Sequence, residues 1–258
     1  IENLSMELQN IQGSMAGIKR CENFLNENDE PIKDISYLEN INKYKEKEII
    51  KFNNVSFCYE GGGGVIENFN LSIEKNENVT LLGRTGAGKS TCFKLILGLL
   101  QPTNGSVTLC GIDAFKIPNS EKRRIFGYVE QSFHSINGSI KDEITLGDER
   151  ITAEEVEAAL DLVGLKQYVF DMPQGIETPF DNKSFSFGQR QLLSIARAVV
   201  TMPPILLLDE MSANLDAQTE KQILNILESI SQSHTIISIS HRLTTALKNN
   251  RAIDISKS

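Results

Sequence analysis

The segment Gly83-Arg84-Thr85-Gly86-Ala87-Gly88-Lys89-Ser90 follows the pattern G-x-x-x-x-G-K-[ST]. Its glycines let successive backbone N–H groups curl around a phosphate. Lys89 can reach the β and γ phosphates of a nucleotide, and the Ser90 hydroxyl can ligate Mg²⁺. Arg84, Thr85, Ala87 and the following Thr91 complete the candidate contact set of this loop. A second segment, Ile205-Leu206-Leu207-Leu208-Asp209-Glu210, is an apolar run that ends in two consecutive carboxylates. In such a pair Asp209 would hold Mg²⁺, directly or through water, while Glu210 would orient an attacking water or accept its proton. These two segments by themselves leave a kinase and a small GTPase open.

Such groups need a framework that brings the ends of separate strands together. From Ile49 the pattern predicts short strands at Ile49–Phe52, Val55–Tyr59, Phe69–Ile73 and Val79–Leu82, with the glycines 61–64 among the turn formers. A helix over Ser90–Leu100 stops at Gln101-Pro102-Thr103-Asn104-Gly105, a strand follows at Ser106–Leu109, and a stretch of helical pattern comes next. Thr152-x-x-Glu155 is a capping box opening a helix to about Val163, stopped by Gly164. Ser186-x-x-Gln189 is another, opening a helix that Pro203-Pro204 terminates. The runs Ile205–Leu208 and Thr235–Ser240 suit buried parallel strands, with a helix at Ala217–Ile230 between them. The glycine loop falls between a strand and a helix, and the acidic pair closes a strand, where open α/β sheets place ligands.

Between those two segments lies Phe185-Ser186-Phe187-Gly188-Gln189-Arg190-Gln191, followed by Leu192-Leu193-Ser194-Ile195-Ala196-Arg197-Ala198. This stretch resembles the LSGGQ signature and following helix of ABC ATPases, in the right order before Asp209-Glu210. Physically, a capped helix start with Ser186 and Gly188 at its tip is a second anion site, and Gln189 belongs to the same tip. One chain with two phosphate-binding ends suggests a head-to-tail dimer. The resemblance implies an α/β fold: a P-loop NTPase (RecA-like) core with a mostly parallel sheet, an N-terminal antiparallel β subdomain and a helical subdomain over about 132–200. It implies ATP and Mg²⁺ as cofactors, and two ATP molecules sandwiched between two such domains.

Further positions follow from the same resemblance. Gln131, in Tyr128-Val129-Glu130-Gln131, resembles the glutamine that contacts Mg²⁺ and water near the nucleotide and senses the membrane domains. Asn214-Leu215-Asp216 resembles the segment that spans the dimer interface, so Asp216 joins the nucleotide-facing set. His241 resembles the histidine that touches the γ-phosphate, and Tyr59 the aromatic that stacks on adenine.

The apolar seam Ile1, Leu4, Leu8, Ile11, Met15 and Ile18 predicts a helix to about Phe24, and residues 26–48 are polar and charge-dense, as in a linker. In ABC exporters the last transmembrane helix continues into the cytosol and joins the ATPase domain in this way. Residues 1–25 are accordingly expected to be that extension, 26–48 the linker and 49–258 the ATPase domain. The start at Ile1, in the middle of the seam, reads as a piece of a longer polypeptide. No apolar run approaches the ~18–20 residues of a membrane helix. The resemblance to exporters implies the cytoplasmic side of the cell membrane, bound to or fused with transmembrane domains.

With 26 Lys+Arg against 34 Asp+Glu the formal charge is −8, which argues against nucleic acid as a main partner. It does not argue against ATP, which the loop amides, Lys89 and Mg²⁺ would hold locally. Cys21, Cys58, Cys92 and Cys110 are scattered without a C-x-x-C pair and read as reduced thiols. A soluble ABC ATPase outside transport is the competing reading. Such proteins carry tandem domains or long coiled-coil insertions, which this chain lacks. One departure from the family pattern is Phe187, at the position where the commonest signature has its first glycine. Its side chain is expected to point away from the phosphate.

Overall fold

The unbroken apolar run from Ile205 sends its side chains alternately to opposite faces of a strand, and both faces are buried. Ile205 and Leu207 lie in one apolar cluster, Leu206 and Leu208 in another. Two-sided burial is what an inner strand of a parallel sheet requires. The computed structural model describes residues 44, 46–59, 61–210, 215–239 and 247–255. The expected N-terminal helix, most of the linker, Asn214 and His241 lie outside the described residues.

In chain order the elements are β1 (Glu48–Cys58), β2 (Gly64–Glu74), β3 (Asn78–Leu82), α1 (Lys89–Ile96), β4 (Asn104–Leu109), β5 (Ile112–Asp113), α2 (Asn119–Ile125) and β6 (Phe126–Val129). They continue as α3 (Ile140–Thr145), α4 (Ala153–Leu162), α5 (Lys166–Phe170), α6 (Phe187–Val199), β7 (Ile205–Asp209), α7 (Ala217–Ile230), β8 (Thr235–Ile239) and β9 (Asn250–Asp254). An antiparallel sheet has the order β2-β1-β4-β5, and a parallel sheet the order β6-β7-β8-β3-β9. This is the α/β architecture expected, with an antiparallel β portion at the N-terminal side.

The order of the parallel sheet positions the site. The chain leaves β3, crosses to β6, and returns strand by strand through β7 and β8 to β3. Because neighbours are parallel, the C-terminal ends of β3, β6 and β7 open at one sheet edge. The glycine loop, Gln131 and Asp209-Glu210 follow these ends, at a switch in strand order where open α/β sheets bind ligands. One cluster packs β1, β2 and β4 with α1 under the sheet, through Phe52, Phe69, Phe93 and Leu109. The other joins α3–α7 to the opposite face, through Ile144, Leu160, Val169, Leu193 and Leu227.

Several boundaries differ from the sequence reading. The two strands expected before Tyr59 are one, β1, bulged near Asn54, which takes φ 46° and donates its N–H to Asn70 Oδ1. Helix α1 ends at Ile96 rather than Leu100. Gly98 turns left-handed there, and a Cβ on it would lie 2.0 Å from the Ala114 carbonyl oxygen. The stretch expected to be helical after β4 also contains β5 and the four-residue β6. Both are too short for a period-2 signal, and only pairing makes them strands. The helices α4 and α6 and their capping boxes agree with the sequence reading.

Candidate nucleotide-binding site

Helix α1 starts with Gly88 as its N-cap, in the left-handed region at φ 93°, with no side chain capping the first turn and no acidic residue in it. The amides at this helix start are therefore offered to an external acceptor. Gly88 is required twice over. Its φ disfavours any side chain, and a Cβ would sit 3.1 Å from Ile66 Cγ1 and 3.2 Å from Val65 Cγ1. The loop closes through Ala87 N–H donating to the Arg84 carbonyl at 3.0 Å.

Lys89 is buried, and its Nζ donates to the carbonyls of Gly83 (2.7 Å) and Arg84 (3.0 Å). An ammonium has three N–H donors, so one remains for a phosphate oxygen. Thr85, Gly86, Gly88, Lys89, Ser90 and Thr91 line a cleft of about 290 Å³, closed on other sides by Tyr59, Val65 and Glu210. Tyr59 is 40 % exposed; its ring stands edge-on to Phe57 with centroids 4.8 Å apart, and its hydroxyl lies 3.3 Å from Thr91 Oγ1. A half-exposed aromatic fixed at the mouth of a phosphate-binding cleft can stack on a base.

Across the cleft, β7 delivers the two carboxylates. Glu210 takes φ 36°, in the left-handed region that a side chain disfavours, and is held there by its N–H donating to the Ile239 carbonyl at 2.8 Å. Its Oε2 accepts a hydrogen bond from Gln131 Nε2 at 2.7 Å, which joins the β6 and β7 ends. The neighbouring Asp209 accepts from the Tyr128 hydroxyl at 3.1 Å. Burial, with Glu210 beside it, raises the Asp209 carboxyl above the usual range, against the opposing pull of the Tyr128 hydrogen bond and Lys89. The Tyr128 phenol is pushed up in turn, by burial first and by Asp209 next.

The residues fit a divalent cation of the Mg²⁺ kind. Among the described residues no group of three or more His, Cys, Asp or Glu could hold a metal by itself. Mg²⁺ characteristically takes one or two carboxylates and completes its shell with substrate phosphates and water. Ser90, Asp209 and Gln131 are residue types that could supply that sparse donor set, and a cation would relieve the repulsion between two adjacent carboxylates, both partly buried.

Four of the expected contact residues lie elsewhere. Ser186 caps α6 by accepting from Gln189 N–H, while Gln189 Oε1 accepts from Ser186 N–H, so both side chains are engaged in the cap. Asp216 caps α7, accepting from the amides of Gln218 and Thr219 and from the Thr219 hydroxyl. Gly188 packs against Thr219. None of the four lines the cleft above. Phe187 is 39 % exposed at the tip of α6.

Sequence reasoning missed two features. Tyr128 carries no motif of its own, and only the pairing of β6 with β7 brings it to Asp209. Arg197 of α6 forms an ion pair with the buried Glu143 and donates to the carbonyls of Glu143 (2.9 Å) and His134 (3.2 Å). Its guanidinium also lies 5.0 Å from the centroid of the Phe133 ring. Arg197 thereby ties the signature helix to the segment that follows Gln131.

Comparison with known proteins agrees with this geometry. Residues 66–213 match the ABC transporter family. The chain is 37 % identical over 211 residues to the lactococcin-A transport/processing ATP-binding protein LcnC of Lactococcus lactis, covering 81 % of this chain and 29 % of that protein. It is 35 % identical over 210 residues to the probable multidrug resistance ABC transporter ATP-binding/permease protein YheH of Bacillus subtilis, covering 81 % and 31 %. The heterocyst differentiation ATP-binding protein HepA of Nostoc is 33 % identical over 250 residues, covering 95 % and 40 %. The chain thus spans less than half the length of these relatives. Among solved structures, a bacterial Atm1-family ABC exporter with ATP bound superposes with a TM-score of 0.74 at 26 % identity, over 98 % of this chain and 44 % of that one. The glycine loop, the acidic strand end, the signature helix and the family match together place this chain in the ABC transporter family, as an ATP-binding domain.

Proposed function

We propose that the chain hydrolyses ATP in the cleft between the glycine loop and the Asp209-Glu210 strand end, and that this reaction drives export through a membrane domain. The observation that carries the reading is the convergence at one sheet edge of Lys89, the glycine loop, Asp209, Glu210 and Gln131.

A Mg²⁺ ion held by Ser90, Asp209 and Gln131 would neutralise charge on the β and γ phosphate oxygens. The free amides at the start of α1 bind the phosphates, and the remaining N–H of Lys89 points charge at the γ-phosphate. Tyr59 stacks on the adenine. Glu210 has one oxygen occupied by Gln131, and its other orients the attacking water and takes its proton. His241 would touch the γ-phosphate.

The second contribution comes from another such domain, identical or related, arranged head to tail. Its Ser186, Gly188 and Gln189, with Asp216 at the interface, would close over the γ-phosphate held here. The separation of these residues from the cleft within one chain supports that reading. No helix among the described residues is long and apolar enough to cross a membrane. The names of the relatives as ATP-binding/permease proteins support assigning the transport path to a fused or associated membrane domain, with this domain on the cytoplasmic side. The names of the relatives as ATP-binding/permease and exporter proteins favour transport over a soluble ABC ATPase.

The test is phosphate release by wild type and Glu210→Gln. The variant should retain ATP binding and lose at least about 10²-fold in turnover, the usual worth of a general base. Unchanged turnover would remove Glu210 from that role. Specific activity of the wild type should rise with protein concentration, and an activity independent of concentration would count against composite sites.

A further inference from the structure

Parallel pairing sets Tyr128 of β6 opposite Leu207 of β7 and Val129 opposite Leu208, so the phenol projects toward the end of β7. Its hydroxyl donates to Asp209 Oδ2 at 3.1 Å. The ring is held in turn: it stands edge-on to Phe93 of α1 at 6.3 Å between centroids and 74° between planes, and Phe93 is itself fully buried. The phenol is thus fixed on the first helix after the glycine loop while its single O–H is spent on the strand carboxylate.

The carboxylate plane of an aspartate rotates in a broad, soft well. Anchoring one oxygen on a rigid phenol fixes that plane and leaves Oδ1 for another ligand. A neutral donor does this without cancelling the charge, as a lysine would, so the carboxylate keeps its attraction for a cation. We propose that Tyr128 is a positioning residue for the divalent cation that accompanies the nucleotide, acting by orienting Asp209. The inference rests on the Mg²⁺-nucleotide reading of the cleft. Tyr128 also lines the surface groove that Arg197 and Leu99 border.

Tyr128→Phe removes the hydroxyl and keeps the ring packing. The measurement is Mn²⁺ affinity in the presence of saturating ADP, read by electron paramagnetic resonance, alongside ADP affinity in EDTA and the urea midpoint of each protein. The expected result is a three- to tenfold weaker Mn²⁺ affinity, with metal-free ADP affinity unchanged and the urea midpoint lowered by no more than the loss of one hydrogen bond. Equal Mn²⁺ affinity in variant and wild type overturns the inference alone. A parallel loss of Mn²⁺ and metal-free ADP affinity also overturns it, since the hydroxyl would then support only the fold of the cleft. Absence of ADP-dependent Mn²⁺ binding in the wild type overturns both this inference and the reading of the cleft.

Discussion

Gly188 can be read as a glycine kept for a phosphate, yet its surroundings within the chain demand it first. Its backbone is ordinary helix, without the positive φ that glycine alone adopts freely. A Cβ on it would lie 2.7 Å from Cγ2 and 2.9 Å from Oγ1 of Thr219, closer than such atoms approach. Thr219 has little freedom to retreat. It is β-branched, its hydroxyl donates to Asp216 Oδ2 at 2.7 Å, and its amide donates to Oδ1 at 2.9 Å. Gly188→Ala gains about 1 kcal/mol of helix propensity. Overpacking costs about 1–3 kcal/mol, and displacing the Thr219 hydroxyl from Asp216 costs roughly 1 kcal/mol more. The net expectation is a loss of about 1–3 kcal/mol, or a Tm lower by about 3–9 °C in a domain of this size. Thr219→Ala removes both of the nearest atoms, so the double variant should recover, with a coupling of about 1 kcal/mol or more in the cycle. Urea denaturation of the four proteins measures this. Gly188→Ala at parental stability, or a double variant no better than the sum of its parts, refutes the reasoning. ATP affinity of the monomeric chain, measured at dilution, should be unchanged, because Gly188 does not line that chain's own cleft.

Two other outcomes follow from buried groups. Arg197→Ala leaves the Glu143 carboxylate, only 1 % exposed, without its cation and should cost about 3–5 kcal/mol in urea denaturation. Replacing both members, as Glu143→Gln with Arg197→Met, should recover part of that loss, and a single-variant cost below about 1 kcal/mol would show the pair to be unimportant. Burial pushes the Cys92 thiol up to about 12 and the Cys110 thiol up to about 11, so neither offers a reactive thiolate at pH 8, whereas Cys58 is exposed. Iodoacetamide at pH 8 followed by peptide mass mapping should label Cys58 in the native protein and the other two only after unfolding. Native labelling of Cys92 would contradict its place in the core.

Much of this molecule is readable along the chain because short-range rules govern it. A glycine loop before Lys89 needs only local backbone freedom and an uncapped helix start. The capping boxes at Thr152 and Ser186 involve residues three apart. The run Ile205–Leu208 declares a strand buried on both faces whatever its neighbours. These features sufficed for the α/β fold and pointed to Lys89, Asp209 and Glu210 as chemistry-bearing residues, while the segment Phe185–Ala198 carried the resemblance to the family.

Tertiary structure decided the relations between segments. Tyr128 meets Asp209, and Gln131 meets Glu210, because β6 pairs with β7 in one register, and a four-residue strand carries no periodic signal to announce it. The left-handed turn at Glu210 is held by its N–H donating to a carbonyl of β8, and the need for glycine at 188 comes from a threonine on another helix. Local propensity determines which elements form and which groups they carry. Which of those groups touch is settled by strand register and helix packing, and these depend on the whole core.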